Sequence, residues 1–339
     1  MPRCEGGKAM KWINYQLSIL NKASQLPDMK CSDFFHSREL MQIYEHTKRH
    51  RPYMAVLTDS QGIPVAHMLS VVRNGKCRIF GEGEYAPMPL RQREHIFGQM
   101  LNAITERLKG KVFYIEVSDI STKMFAYKHF RRNKFFPIHW LQVYNSLHSR
   151  APEERISRRL LSVIAEARSA GIETRPVTSD SDLDSFYQLL RTRYNARPRM
   201  FCPVKTFFKE LQASNNAQLF ITTQNGKTVA SIALVRSQGN AYLWFGAYRK
   251  NRNKKPETRN QNPLRGEVGR GLELLAIWDV INHEYRRGTA HFHFIDVGLP
   301  FVRNTYYDNI IQFGGRTVGA YRWFRFFPGI LNSILRLCF

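Results

Sequence analysis

The sequence predicts an α/β chain of two consecutive domains, each a mixed, largely antiparallel sheet flanked by helices. Three observations predict it. Apolar runs of strand length, bounded by Gly and Asn turns, take turns with stretches of helical period. The same order of elements occurs twice along the chain. A length of 339 residues with 43% hydrophobic and 13% aromatic residues is enough for two cores.

In the first half, "YMAVLTDSQGIPVAHMLSVV" (53–72) is two strands around an Asp-Ser-Gln-Gly turn, and "CRIFGEGEYA" (77–86) is a third. "LRQREHIFGQMLNAITERLKG" (90–110) places Ile96, Met100, Leu101, Ile104 and Leu108 on one helical face. "KVFYIEVSD" (111–119) is strand-like, a short helical stretch runs to about Asn133, and "PIHWLQVYNSL" (137–147) closes the half.

The second half opens with the helix "RISRRLLSVIAEARSAG" (155–171), which a glycine terminates. After the strand "IETRPVT", the helix "SDSDLDSFYQLLRTRYN" carries Ser and Asp in its first turn, where they cap free amides. Residues 217–248 read as three strands, with turns at Asn225-Gly226 and Gly239-Asn240. A glycine-rich turn follows, then a helix over about 271–287, a strand over about 290–296, the helical "FVRNTYYDNIIQFGG" and the strand "RTVGAYRWF". The link near 148–152 divides the chain into domains of residues 1–150 and 151–339, the second with a basic loop at 249–265.

Lys and Arg number 51 against 27 Asp and Glu, a formal charge of +24. Such a surface suits a polyanionic partner, whether nucleic acid, nucleotide phosphates or anionic lipid. Cys4, Cys31, Cys77, Cys202 and Cys338 form no CxxC pair, which speaks for a reduced compartment and against a zinc site. No apolar signal region opens the chain, and no stretch reaches the roughly 20 apolar residues of a membrane span. A cytoplasmic protein is expected. The segment "WFRFFPGILNSILRLCF" has two readings, a terminal helix docked on the core or an interfacial anchor at the inner face of the membrane.

The strings "GNAYLWFGAY" (239–248), "FHFIDVGLP" (292–300), "IIQFGG" (310–315) and "YRWF" (321–324) stand in a fixed order around the glycine turn. That order resembles the C-terminal half of the GNAT acyltransferase fold. Two such units resemble the Fem-type peptidyltransferases and the FemAB-like acetyltransferase domains, and "FYQLLRTRYNARPRMFCPVKTFFKEL" (186–211) is similar to their substrate-facing helical segment. The resemblance implies two tandem GNAT-like domains, transfer of an acyl group to an amine, and no permanently bound cofactor. The donor co-substrate it implies is acyl-CoA, or aminoacyl-tRNA acting on a peptidoglycan precursor. The chain departs from the pattern shortly before "FGG", where relatives often carry a lysine and Ile310, Ile311 and Gln312 stand here.

The resemblance also assigns the glycine turn to the donor's pyrophosphate. Free amides at a helix start converge on one point and attract an anion. The residues concerned are Arg265, Val268, Gly269, Arg270 and Gly271, with Gly266 where the pattern has Arg or Gln. Glycines that merely let a helix start are the alternative. Asp296, at a strand end, is the candidate to orient the acceptor amine, with a turn residue as the alternative. The resemblance further implies a phenol near the leaving group as general acid, for which Tyr306 and Tyr307 are the candidates by position, one of the two being expected in the core instead.

Arg191, Arg193 and Tyr194, followed by Arg197 and Arg199, form a cluster suited to a phosphorylated or nucleotide-linked acceptor. Tyr242, Trp244 and Tyr248 would line the cleft on one face of their strand, with Leu243 and Phe245 on the other. His291 and His293 share a face that Asp296 does not, so no metal site is expected. A transferase that has lost catalysis and binds RNA or anionic lipid is the reading from a different class.

Overall fold

A computed structural model describes residues 15–120, 124–196, 202–249, 268–302 and 304–338. The first half runs β1 Gln16–Leu20, α1 Arg38–His46, β2 His50–Thr58, β3 Pro64–Arg73, β4 Lys76–Phe80, β5 Glu84–Tyr85, α2 Leu90–Leu108, β6 Tyr114–Ile120, α3 Tyr127–Arg132 and β7 Phe136–Ser146. The second runs α4 Arg158–Ser169, β8 Ile172–Pro176, α5 Asp180–Asn195, α6 Lys205–Ala213, β9 Ala217–Gln224, β10 Lys227–Ser237 and β11 Asn240–Tyr248. It continues through α7 Val268–Arg286, β12 His291–Gly298, α8 Thr305–Ile310, β13 Arg316–Phe326 and α9 Gly329–Cys338.

Local chemistry explains several element ends. Ser157 and Ser179 accept from Leu160 and Asp182 amides at the starts of α4 and α5, and Gly171 ends α4 at φ +72°. Asn225 and Gly226 both take positive φ between β9 and β10, as a tight hairpin requires. The next hairpin differs by one residue from expectation. Ser237 pairs with Asn240, so the turn residues are Gln238 and Gly239, and Asn240 is already strand.

The strands form one sheet in the order β1-β2-β3-β4-β6-β13-β7-β12-β11-β10-β9-β8, with β5 beside β3. Each half gives its last strand to the other: β13 lies between β6 and β7, and β7 pairs with β12. The cores follow the exchange. Trp323 of β13 is buried with α2 and β6, while Val143 of β7 is buried with α4 and α7. A third core, built on α1, α5 and α6, draws Met54 and Val56 from the first half and Phe245 and Ala247 from the second. The link near residue 150 therefore separates the halves in sequence while their sheets interlock.

The "FGG" motif meets this junction. Gly314 has φ +74°, and a Cβ there would lie 2.6 Å from the Arg155 carbonyl oxygen. Asn145, buried on β7, donates from Nδ2 to the Phe313 carbonyl at 2.7 Å. Close backbone approach requires glycine at 314.

Candidate functional site

β11 and β12 run parallel and pair only at Ala241–Phe292, Tyr242–His293 and Leu243–Phe294. Beyond that point the two ladders on their outer sides both shift. On β10, Ala233 faces Phe245 and Leu234 faces Leu243, so Trp244 is an inserted bulge residue. On β7, Val143 faces Phe294 and Leu141 faces Gly298, which leaves Ile295, Asp296 and Val297 out of register. Asp296 takes φ +59° and Gly298 φ +125° in this loop of strand. The strand ends part, and a gap opens between them.

The bulge overturns the simple alternation expected for β11. Trp244 and Phe245 both pack towards the α1–α5–α6 core, at 5.6 Å from Phe35 and 5.3 Å from Phe208 respectively. Tyr242 lies on that side too, while Tyr248 joins Leu243 on the α7 side. Tyr242, Trp244 and Tyr248 therefore do not share a face. One inserted residue reverses the pleat after it.

A parallel pair needs a crossover helix, so α7 runs back between the strands and its first turn lies where they part. Of the residues expected at that turn, Arg265 and Gly266 lie outside the described residues, as do Arg197 and Arg199 and nearly all of the basic loop. The backbone of Val268, Gly269 and Arg270 is helical. Gly271 is buried against α4, where a Cβ would lie 3.5 Å from Ala167 and 3.6 Å from Val163. A methyl group would fit there at ordinary contact distance, so the packing against α4 does not itself require glycine.

Around that first turn three phenols gather. Tyr306 of α8 lies near Glu273 of α7, Tyr194 of α5 and Asp296, and its ring stands 6.5 Å from Phe294. Tyr248 lies near Glu273, Tyr306, Tyr194 and Arg193. Burial first, then the Glu273 carboxylate, holds both phenols well above their ordinary pKa, so both are neutral at physiological pH. Among the described residues the Tyr248 hydroxyl has no hydrogen-bond partner. It hangs over Gly246, where a Cβ would come within 3.0 Å of it. Tyr194 packs on Phe245 at 6.0 Å. Tyr307 instead bonds Thr317 through its hydroxyl at 3.1 Å, and Arg191 lies beside Tyr187 and Cys202.

Asp296 keeps 43% of its side chain exposed, yet two guanidinium groups hold it. Arg322 of β13 and Arg78 of β4 both donate to Oδ1, Arg78 at 3.2 Å. Among the described residues Oδ2 has no hydrogen-bond partner. Desolvation works to raise the pKa, but Arg322 and then Arg78 outweigh it and keep the carboxyl well below the usual carboxylate range. Arg322 also bonds Glu116 of β6 at 3.2 Å and stacks over Trp140 at 3.9 Å. Asp296 is a candidate from the sequence alone, whereas Arg78, Glu116 and Arg322 are not among its candidates. The available signal was a charge inside each of three apolar strands, "CRIF", "YIEV" and "YRWF".

On the α1–α5–α6 side, a cavity of about 250 Å³ lies between the halves, lined among others by Phe80, Glu82, Arg93, Tyr242, His293 and Ile295. His293 stacks on Tyr242 at 4.7 Å and on Tyr144 at 5.6 Å. Among the described residues no group of three or more His, Cys, Asp or Glu could hold a metal ion, and no helix is long and apolar enough to cross a membrane.

Residues 154–301 match the model of the acetyltransferase (GNAT) domain. The chain has the tandem GNAT fold. FemX is similar over 90% of this chain and 95% of its own, at 8% identity and a TM-score of 0.59. L-PGS from Bacillus licheniformis is similar over 88% and 90%, at 12% identity and 0.55. A tandem GNAT protein from the clavulanic acid biosynthesis pathway is similar over 93% and 99%, at 10% identity and 0.55. No curated protein is detectably similar in sequence. The β11–α7–β12 unit, with its parted strands, falls inside the matched GNAT domain.

Proposed function

We propose that this tandem GNAT protein transfers an acyl group from acyl-CoA to an amine, in the gap between β11 and β12. One observation carries the reading. The strands part where the first turn of α7 begins, with the partly buried Tyr306 phenol beside that turn. Acyl-CoA would supply an activated thioester, so the protein need only position the amine, manage its proton and stabilise charge.

The backbone amides of Val268, Gly269, Arg270 and Gly271 suit the donor's phosphates, helped by the positive end of the helix. Tyr306 keeps its proton at neutral pH and is the candidate general acid for the departing sulfur. Asp296 is too weak a base to take a proton from the acceptor. Its Oδ2 suits an ammonium group, which it would orient through a charge-assisted hydrogen bond. Arg193, Tyr194 and Tyr248 border the gap, and Tyr242 borders the cavity through which an acceptor would approach. Supporting the reading, Gly246 leaves room on β11 for the Tyr248 hydroxyl to reach over the strand.

The charge of +24 and the chain-long likeness to FemX favour a second reading, with aminoacyl-tRNA as donor and a cell-wall precursor as acceptor. A salt titration separates the two. Affinity for tRNA should fall by orders of magnitude between about 50 and 200 mM salt, whereas affinity for CoA should change little. Release of free thiol from acetyl-CoA in the presence of simple amines tests the first reading directly. Absence of turnover with either donor would leave a binding module.

A further inference from the structure

α9 presents an apolar face to solvent. Ile330, Ile334 and Leu337, at helical spacing i, i+4 and i+7, are 81%, 54% and 88% exposed. The side turned to the protein carries Asn332, which is buried, accepts from the Phe326 amide at 2.8 Å and donates to the Lys134 carbonyl at 3.0 Å. A polar residue therefore fixes the helix to the body, and three large aliphatic side chains point away. Leu331 and Leu335 are half-buried beside Asn332, so the helix carries aliphatic residues on its outer face as well as its inner one, unlike the usual surface helix with a polar outer face.

The sheet puts a second apolar projection on the same edge. β12 and β13 are both antiparallel to β7, so their C-terminal ends leave the sheet in one direction. The segment after β12 carries Phe301 and Val302, 92% and 58% exposed. The gap and the first turn of α7 open at this edge as well. Phe113, which precedes β6, is half exposed there, and its carbonyl accepts from the Phe327 amide at 2.9 Å.

Basic side chains surround the projections. Phe113 also donates its amide to Gly75, which brings the β3–β4 turn with exposed Lys76 to this corner. Lys109 and Lys111 precede Phe113, and Arg132 and Lys134 precede β7; all four are exposed. Glu106 is an acid near Arg325 at this corner, and no acid follows Asp308 in the sequence. An isolated apolar face would suit any greasy partner. Aliphatic residues on an outward helix face, with lysines on the flanking turns, fit an anionic bilayer, whose lipid tails and headgroups demand that combination.

We infer that this edge docks on an anionic lipid bilayer, with α9 and the Phe301–Val302 segment dipping below the headgroups and Lys76, Lys109, Lys111, Arg132 and Lys134 above them. Docking of this kind would turn the gap between β11 and β12 towards the lipid surface. The inference goes beyond acyl transfer and does not depend on it.

Co-sedimentation of the full chain with phosphatidylcholine vesicles, with and without phosphatidylglycerol, tests it. Binding is expected only when phosphatidylglycerol is present. Replacing Ile330, Ile334 and Leu337 together by Asp should weaken it at least about tenfold, because one signal alone gives marginal attachment. Replacing Lys109, Lys111 or Lys134 by Gln should weaken it about fivefold each. These positions are exposed, so thermal unfolding of each variant should match that of the parent. Equal binding to both vesicle types overturns the inference, and so does full binding by the triple variant. Sedimentation of the parent as a dimer that the triple variant loses, without vesicle binding, assigns the face to a second copy and also overturns it. None of these readouts requires turnover, so failure here leaves the acyl-transfer reading untouched.

Discussion

Arg78, on the fourth strand, donates to Asp296 Oδ1 at 3.2 Å, joining residues 218 positions apart in the sequence. The first half therefore reaches into the site of the second. Glu116, also from the first half, bonds Arg322, which in turn holds Asp296. The carboxylate that ends β12 is positioned by side chains on β4, β6 and β13, which explains how it can occupy a left-handed backbone conformation.

Arg322 is 8% exposed in its side chain, and its removal takes the more buried of two cations from both Glu116 and Asp296, leaving them Arg78. Arg322→Met is expected to lower unfolding free energy by about 3 kcal/mol, and Arg78→Met, at a more exposed site, by less than about 1 kcal/mol. Urea unfolding monitored by tryptophan fluorescence measures both. Equal effects would mean that burial does not set the strength of this network.

The pH dependence of Asp296 has a definite sign. Its folded pKa lies below the unfolded value of about 3.9, so its contribution is complete above that value and drains away as pH falls through the folded one. Stability of Asp296→Asn should therefore differ from the parent at pH 7 and converge on it in strong acid. A constant difference across the acid range would contradict the ion-pair account.

His50, His67 and His293 add an acid sensitivity of their own. Burial pushes each down to about 4, against an unfolded value of about 6.5. The unfolded chain binds more protons between those values, so stability should fall as pH drops from about 6.5 to 4. For His293, stacked between Tyr242 and Tyr144, an NMR titration should show a midpoint near 4. A midpoint near 6.5 would mean the ring is more open to water than its stacking implies.

Tyr306 and Tyr307 should separate kinetically. Tyr306→Phe is expected to reduce kcat about 10²-fold with little change in the KM for acyl-CoA, while Tyr307→Phe has no more than a small effect. Because burial and Glu273 raise the Tyr306 pKa, parent activity should hold through alkaline pH until the acceptor or the fold limits it. Loss of activity in Tyr307→Phe alone would reassign the proton donor.

Two glycines should respond in opposite ways. At Gly271 a methyl group meets Ala167 and Val163 at ordinary contact distance, so Gly271→Ala should leave stability unchanged or raise it by up to about 1 kcal/mol. At Gly314 the φ is positive and the Arg155 carbonyl is 2.6 Å away, so Gly314→Ala should cost about 2 kcal/mol or more. Thermal melts of the two variants check the pair. If Gly271→Ala melts earlier than Gly314→Ala, the packing assigned to these positions is wrong.

Legibility followed the range of the interaction involved. The helix α2, with Ile96, Phe97, Met100, Leu101 and Ile104 all buried, was plain from its period. The caps at Ser179 and the hairpin at Asn225-Gly226 were plain from turn chemistry. The turn lies at Gln238-Gly239, one residue before the Gly239-Asn240 that the sequence suggests, because Gln-Gly and Gly-Asn both punctuate and only the Ser237–Asn240 pairing decides between them. The bulge at Trp244 left no mark in composition, since an inserted aromatic looks like any other residue of an aromatic strand.

By itself the sequence determined the order of most strands and helices and the basic character of the chain. Tertiary structure alone decided that β7 and β13 change places, that Arg78 and Arg322 converge on Asp296, that Gly271 faces α4 and that α9 turns an aliphatic side outward. The reason is physical. Periodicity and turn propensity act over a few residues and are written in consecutive letters. Strand neighbours and buried ion pairs are chosen by the free energy of the whole packed sheet, in which positions two hundred residues apart compete for the same space.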